Sequence, residues 1–166
     1  MDILEVPLYN KSHFKFLEMG LVWYNRTQRA ISGKCEYLHD PRNNVIMEVQ
    51  LYKMMSNEYR FFPLTFKANE CAEYKKNSFG IKTMLSRSSN MDPCNLRGGF
   101  LYTVDKMIPD VSTFPPHLPL GSYKLVIRFL FHSDFQAQGD IYLRIVDKPI
   151  EWKKLPSLKR PHKGNN

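Results

Sequence analysis

No apolar run in this chain approaches the roughly 18 residues that a membrane-spanning helix needs. The opening residues, MDILEVPLYNKSHFKF, lack the basic start and unbroken apolar centre of a signal peptide; Pro7, Asn10 and Lys11 interrupt them. Acids are few, 16 Asp and Glu against 24 Lys and Arg, and they are scattered, so no carboxylate pair for acid–base work stands out. Of the three cysteines no two stand two apart, and His13, His39, His117, His132 and His162 follow no ligand spacing, which argues against a metal centre. Gly-x-Ser-x-Gly and phosphate-loop patterns are missing. We therefore expect no catalytic residue, no metal and no cofactor: a protein that is not an enzyme.

The positive charge is uneven. Net charge is +8, but Lys148 to Asn166 carries six basic residues against one acid, Glu151. A nucleic-acid partner would need a basic stripe on a folded face, so none is expected. The stretch 151–166 reads as a basic, flexible, solvated tail, with docking on anionic lipid headgroups as the other reading. With 43% hydrophobic and 13% aromatic residues in 166, the chain can bury a core, and its length suits one domain, placed at 14–150 behind an N-terminal segment 1–13.

Periodicity supplies the architecture. Phe14 to Tyr24 predicts a strand with a bulge at Gly20. Ala30 to Leu38 and Val45 to Lys53 alternate apolar and polar residues around the turn His39–Asn44, and read as a hairpin. Tyr59 to Ala68 places Phe62, Leu64 and Phe66 on one face; Pro63 demotes it to an edge or bulged strand. Cys71 to Leu85 breaks the pattern with short helical turns, interrupted by Asn77, Ser78 and Gly80, and Ser86 to Leu96 reads as a loop. Gly98-Gly99 opens the strand Phe100 to Val104, and Pro109, Pro115, Pro116 and Pro119 forbid regular structure in the crossing that follows. Ser122 to His132 puts Tyr123, Leu125, Ile127, Phe129 and Phe131 on one face; Ser133 to Gly139 reads as a turn, and Asp140 to Val146 returns with Ile141, Leu143 and Ile145 inward. The whole predicts a mostly β chain: an antiparallel sandwich or cup with one short helix between Cys71 and Cys94.

Three features remain as site candidates. Cys71 and Cys94 flank the helical excursion: in an oxidising compartment a bridge there would stabilise by about 3 kcal/mol, and in a reducing one both are free thiols. Cys35 reads as a small buried side chain, the other reading being a bridge to a cysteine upstream of this sequence. The triplets at Asn10 and Asn25 fit N-glycosylation acceptors, the second in a turn between strands. The aromatic load is either an ordinary packed core or the lining of a cavity between the sheets, and alternation does not tell the two apart.

A resemblance gives these features a direction. Asn25-Arg26-Thr27 before Ile31-Ser32-Gly33, the strand VIMEVQLYK, Asn69-Glu70-Cys71, Ser89-Asn90-Met91-Asp92-Pro93-Cys94, Gly99-Phe100-Leu101-Tyr102 and Leu118-Pro119-Leu120-Gly121-Ser122-Tyr123 follow in order. Over roughly Phe14 to Val146 the chain resembles an insect family of unknown function. That family includes the chemosensory CheB proteins and is similar to the ganglioside-activator and MD-2-related lipid-recognition proteins. The resemblance implies an extracellular sandwich or cup that binds or presents a lipid or hydrocarbon, in insects a pheromone-like one, without catalysis and with a membrane receptor as a further partner. It implies a disulfide between Cys71 and Cys94. The ligand-binding wall expected here is Phe62, Leu64, Phe66, Tyr102, Tyr123, Leu125, Ile127, Phe129, Leu143 and Ile145. It also implies a signal peptide and an early cysteine, which this sequence does not show; either the front is truncated or this member is not secreted. The other reading is an extracellular protein-interaction module with a packed core and no ligand.

Overall fold

The structure, a computed structural model, describes residues 1–110 and 118–146. Eight strands form two antiparallel sheets. The larger holds, in spatial order, β1 (Ile3–Tyr9), β8 (Asp134–Ile145), β7 (Gly121–Phe131), β4 (Val45–Met55) and β5 (Glu58–Asn69). The smaller holds β2 (Phe14–Trp23), β3 (Arg29–Tyr37) and β6 (Leu101–Met107). The chain is thus a mostly β sandwich, as the alternation predicts.

Its two outer strands in the large sheet, β1 and β5, each carry a proline, Pro7 and Pro63, where the pairing register shifts. A proline lacks the N–H that a ladder needs, so it sits at edges and bulges. Two-residue turns close the β4–β5 and β7–β8 hairpins, with positive φ at Ser56 and Asn57 and at His132 and Ser133.

Several sequence expectations change. β3 and β4 are not a hairpin: β3 pairs with β2 and β6, while β4 pairs with β5 and β7. The loop between them carries the chain from one sheet to the other. It is pinned by the Gly98 N–H donating to Asp40 Oδ1 at 2.8 Å, so His39-Asp40 serves the loop. Gly98 lies against the His39 backbone, where a Cβ would come within 2.8 Å, and Gly99 has φ +68. Gly20 pairs regularly with Ser32; the bulge of β2 lies between Phe14 and Phe16. β8 begins at Asp134, inside the expected turn, because a bulge at Gln136 keeps the hairpin in pairing. The segment 1–13 contributes β1.

Two helices occupy the excursion where one is expected: α1 (Glu70–Lys76), capped by the Asn69 side chain, and α2 (Ile81–Ser88). Asn77 and Gly80, both left-handed, separate them, so the residues that argue against one long helix are those that divide two. Ser86 to Ser88, expected as loop, completes α2. The Cys71–Cys94 disulfide is formed, and Cys35 is a buried free thiol. Pro115 and Pro116 in the crossing, and the basic tail 151–166, lie outside the described residues.

Candidate functional site

Side chains opposite one another across a ladder share a face. On the inner face of the large sheet the register builds rows: Ala68, Met47, Phe129 and Ala137; then Phe66, Val49 and Ile127; then Leu51, Leu125 and Ile141; then Tyr123 with Leu143. Ile145 lies one row beyond Leu143, opposite Gly121. Phe62 joins the Tyr123 row through a ring contact of 5.8 Å, and Leu64 shares the face by alternation. Tyr102 faces inward from the small sheet, opposite Cys35. The structure therefore brings all ten expected wall residues onto the two inner faces. The outer face carries a polar network around buried Val126: Lys124 and Asp140 pair at 2.7 Å, Gln138 donates to Asp140, and Arg128 donates to Gln138.

The interior is not filled evenly. One end is closed by a cluster of Phe14, Cys35, Tyr37, Val45, Leu96, Tyr102 and Ala137, with the Phe14 and Tyr37 rings 4.5 Å apart. The Tyr102 hydroxyl accepts from the Arg97 N–H at 2.8 Å, which makes Tyr102 part of this packed end. Tyr123 is likewise fully enclosed, its hydroxyl donating to the Pro119 carbonyl. Between them, Leu125, Ile127 and Phe129 on β7 are only half-buried, as are Phe62, Leu64 and Phe66 on β5 and Leu143 and Ile145 on β8. β7 is the middle strand of five, and a filled sandwich would bury its inner face completely.

The cause is a mismatch of widths. Strands lie about 4.8 Å apart, so three strands cannot roof five. α1 and α2 cover part of the excess, with Phe79 stacked on Phe66 at 5.7 Å. Apart from that interior, Val6 of β1 and Leu17, Glu18, Met19, Gly33 and Lys34 of the small sheet line a shallow, open depression of about 680 Å³. Gly33 is required there, since a Cβ would collide with the Met19 sulfur and the Glu18 carbonyl.

Two constellations were not legible in the sequence. His13 and His39, 26 residues apart, join the β1–β2 turn to the β3–β4 loop through ring nitrogens 2.9 Å apart, with Phe131 against both rings. Burial, and then the His39 charge, hold the His13 imidazole below its ordinary range, while Asp134 opposes them. The second lies at the closed end of the interior. Burial lifts the Glu70 carboxyl to about 7. Burial first, then Glu70, pushes the Cys35 thiol up to about 12 and the Tyr37 hydroxyl well above its usual value. Cys35 is thus the reverse of an activated nucleophile.

The other end of the sandwich carries exposed apolar side chains: Val22, Trp23 and Tyr24 at the β2–β3 tip, Met55 and Phe61 near the β4–β5 tip. Trp23 lies under the Arg29 guanidinium at 4.7 Å, beside a recess of about 510 Å³ that also takes in Met1, Ile108 and Pro109. Of the two glycosylation candidates, Asn10 is tied into its turn, its Nδ2 donating to the Phe135 carbonyl; Asn25 is exposed.

Among the described residues no three His, Cys, Asp or Glu side chains are grouped to hold a metal, and no helix is long and apolar enough to cross a membrane. No family model matches the chain, and no curated protein matches its sequence.

Proposed function

We propose that this protein is a non-enzymatic carrier that holds a lipid or hydrocarbon-like ligand between its two sheets and acts outside the cell. One observation carries the reading: the inner face of β7, the middle strand of the larger sheet, retains accessible apolar surface at Leu125, Ile127 and Phe129. An alkyl or acyl chain laid there would gain roughly 25 cal/mol for each Å² taken from water. The Cys71–Cys94 bridge is compatible with an oxidising compartment. The resemblance to insect chemosensory proteins directs the search toward pheromone-like hydrocarbons, presented to a membrane receptor.

The test is uptake of the apolar fluorophore N-phenyl-1-naphthylamine. Phe129→Asp sets a charge on the inner face and reduces uptake by about tenfold or more, because a buried unpaired charge is costly. Leu125→Trp fills the same space and also reduces it. Phe61→Asp, on the outward face and 61% exposed, leaves uptake as it was. Folded inner-face variants with undiminished uptake would overturn the assignment.

The exposed rim favours a second reading, an interaction module. Trp23 and Phe61, each 61% exposed, give that end apolar surface suited to a protein partner. Under this reading the fluorophore is not taken up, and changes at Trp23 abolish capture of the partner.

A further inference from the structure

Glu70 stands at the closed end of the apolar interior without a counter-charge. Asn69 turns outward, its side chain capping α1 and donating to the Asn43 carbonyl, so the next position in the alternation faces in. Asn69, extended and the last paired residue of β5, stands opposite Ile46, and Glu70 follows it at the start of α1, where its charge acts on Cys35 and Tyr37. The disulfide at the next residue, Cys71, fixes this segment against the loop that holds Cys94. Among the described residues no hydrogen bond or ion pair reaches the Glu70 carboxylate. The residue is half-buried, while Cys71, Val45, Cys35 and Tyr37 around it are buried. A half-accessible carboxyl set among buried neighbours and left without a partner keeps its hydrogen-bonding capacity for another group.

We propose that Glu70 is the polar anchor of the interior, accepting a hydrogen bond from the donor end of a single-chain amphiphile, an alcohol or an amine, whose hydrocarbon runs along Phe129, Ile127 and Leu125. The proposal rests on the carrier reading and names the ligand class for that same site. From the Val45 level to the Leu51 level is six residues of strand, roughly 20 Å, a track for an extended alkyl chain. No basic side chain acts on Glu70, so above about pH 8, where the raised carboxyl is ionised, a carboxylate or phosphate head meets a like charge with nothing to balance it. A hydroxyl or ammonium head instead supplies the donor that the ionised carboxylate lacks, so the displacement below is read above about pH 8.

The experiment is displacement of N-phenyl-1-naphthylamine by dodecanol, dodecylamine, dodecyl methyl ether and dodecanoate. The ether matches the alcohol but cannot donate. Wild type prefers the alcohol and the amine to the ether by about tenfold, the effect of one hydrogen bond to a buried carboxyl. Glu70→Leu, or Glu70→Ala in its place, brings that ratio to about one. The head whose preference falls further on substitution, hydroxyl or ammonium, names the natural class. Equal displacement by alcohol and ether, a preference untouched by both substitutions, or dodecanoate as the tightest displacer overturns the proposal and leaves the carrier reading standing. Failure of wild type to take up the fluorophore overturns the carrier reading and this proposal with it.

Discussion

The Nδ1 atom of His13 lies 2.9 Å from the Nε2 atom of His39, close enough that the two rings share one hydrogen and cannot both be imidazolium without parting. Burial and His39 lower the His13 pKa, so between that value and the ordinary histidine range the unfolded chain binds more protons than the folded one. Stability is therefore present above about pH 6.5 and is lost as pH falls below it. As pH falls from about 7 to about 5 the urea midpoint of His13→Gln should gain on that of wild type, whose own slope also carries the opposite contribution of Glu70. An unchanged slope in the variant would place the effect elsewhere.

Glu70 acts in the opposite direction. Its carboxyl is raised to about 7, so between about pH 4.5 and 7 the folded chain binds the extra proton and stability falls as pH rises. Glu70→Gln removes this loss, and the variant gains on wild type as pH is raised through that window. Because His13 and Glu70 oppose each other over the same range, single variants are needed to separate them.

The Cys71–Cys94 bridge spans 23 residues and should contribute about 3 kcal/mol by constraining the unfolded chain. The double variant Cys71→Ser with Cys94→Ser should lower the urea-derived stability by that order. In the oxidised wild type one thiol, Cys35, should react with iodoacetamide, and only after denaturation, since it is buried and its thiol is held up near 12. Fast labelling of the native protein would contradict this placement.

Gln136 is the extra residue of the β8 bulge, fully enclosed, with neither amide atom hydrogen-bonded. A buried polar group left unpaired costs about 1–3 kcal/mol. Gln136→Met should raise the urea midpoint, and a drop would show that the amide has a partner in solution.

Passage through a secretory pathway should load a glycan at Asn25 and leave Asn10 bare, because the Asn10 amide is engaged with the Phe135 carbonyl. Peptide mapping after glycosidase treatment checks the site.

The strands and their faces were legible because alternation reports which side chains point together, and Leu125, Ile127 and Phe129 fall as the sequence predicts. Alternation says nothing about partners. Ala30 to Leu38 and Val45 to Lys53 have the pattern of a hairpin, and it takes long-range contacts such as Asp40 with Gly98 and Arg42 with Leu96 to hold the connection between different sheets. Nor does it report filling: the half-open interior comes from three strands facing five, a property of topology. Glu70 reads in sequence as an ordinary acid at a helix start. The signal that it faces inward is the outward capping role of Asn69, which needs the helix boundary to be known.

The central claim is that the space along β7 holds an apolar molecule. The most direct measurement is a native mass spectrum beside the denatured one, on protein made in insect cells behind a heterologous signal peptide. The carrier account predicts extra mass that leaves on denaturation and extracts into organic solvent. A bare, well-folded protein would contradict it.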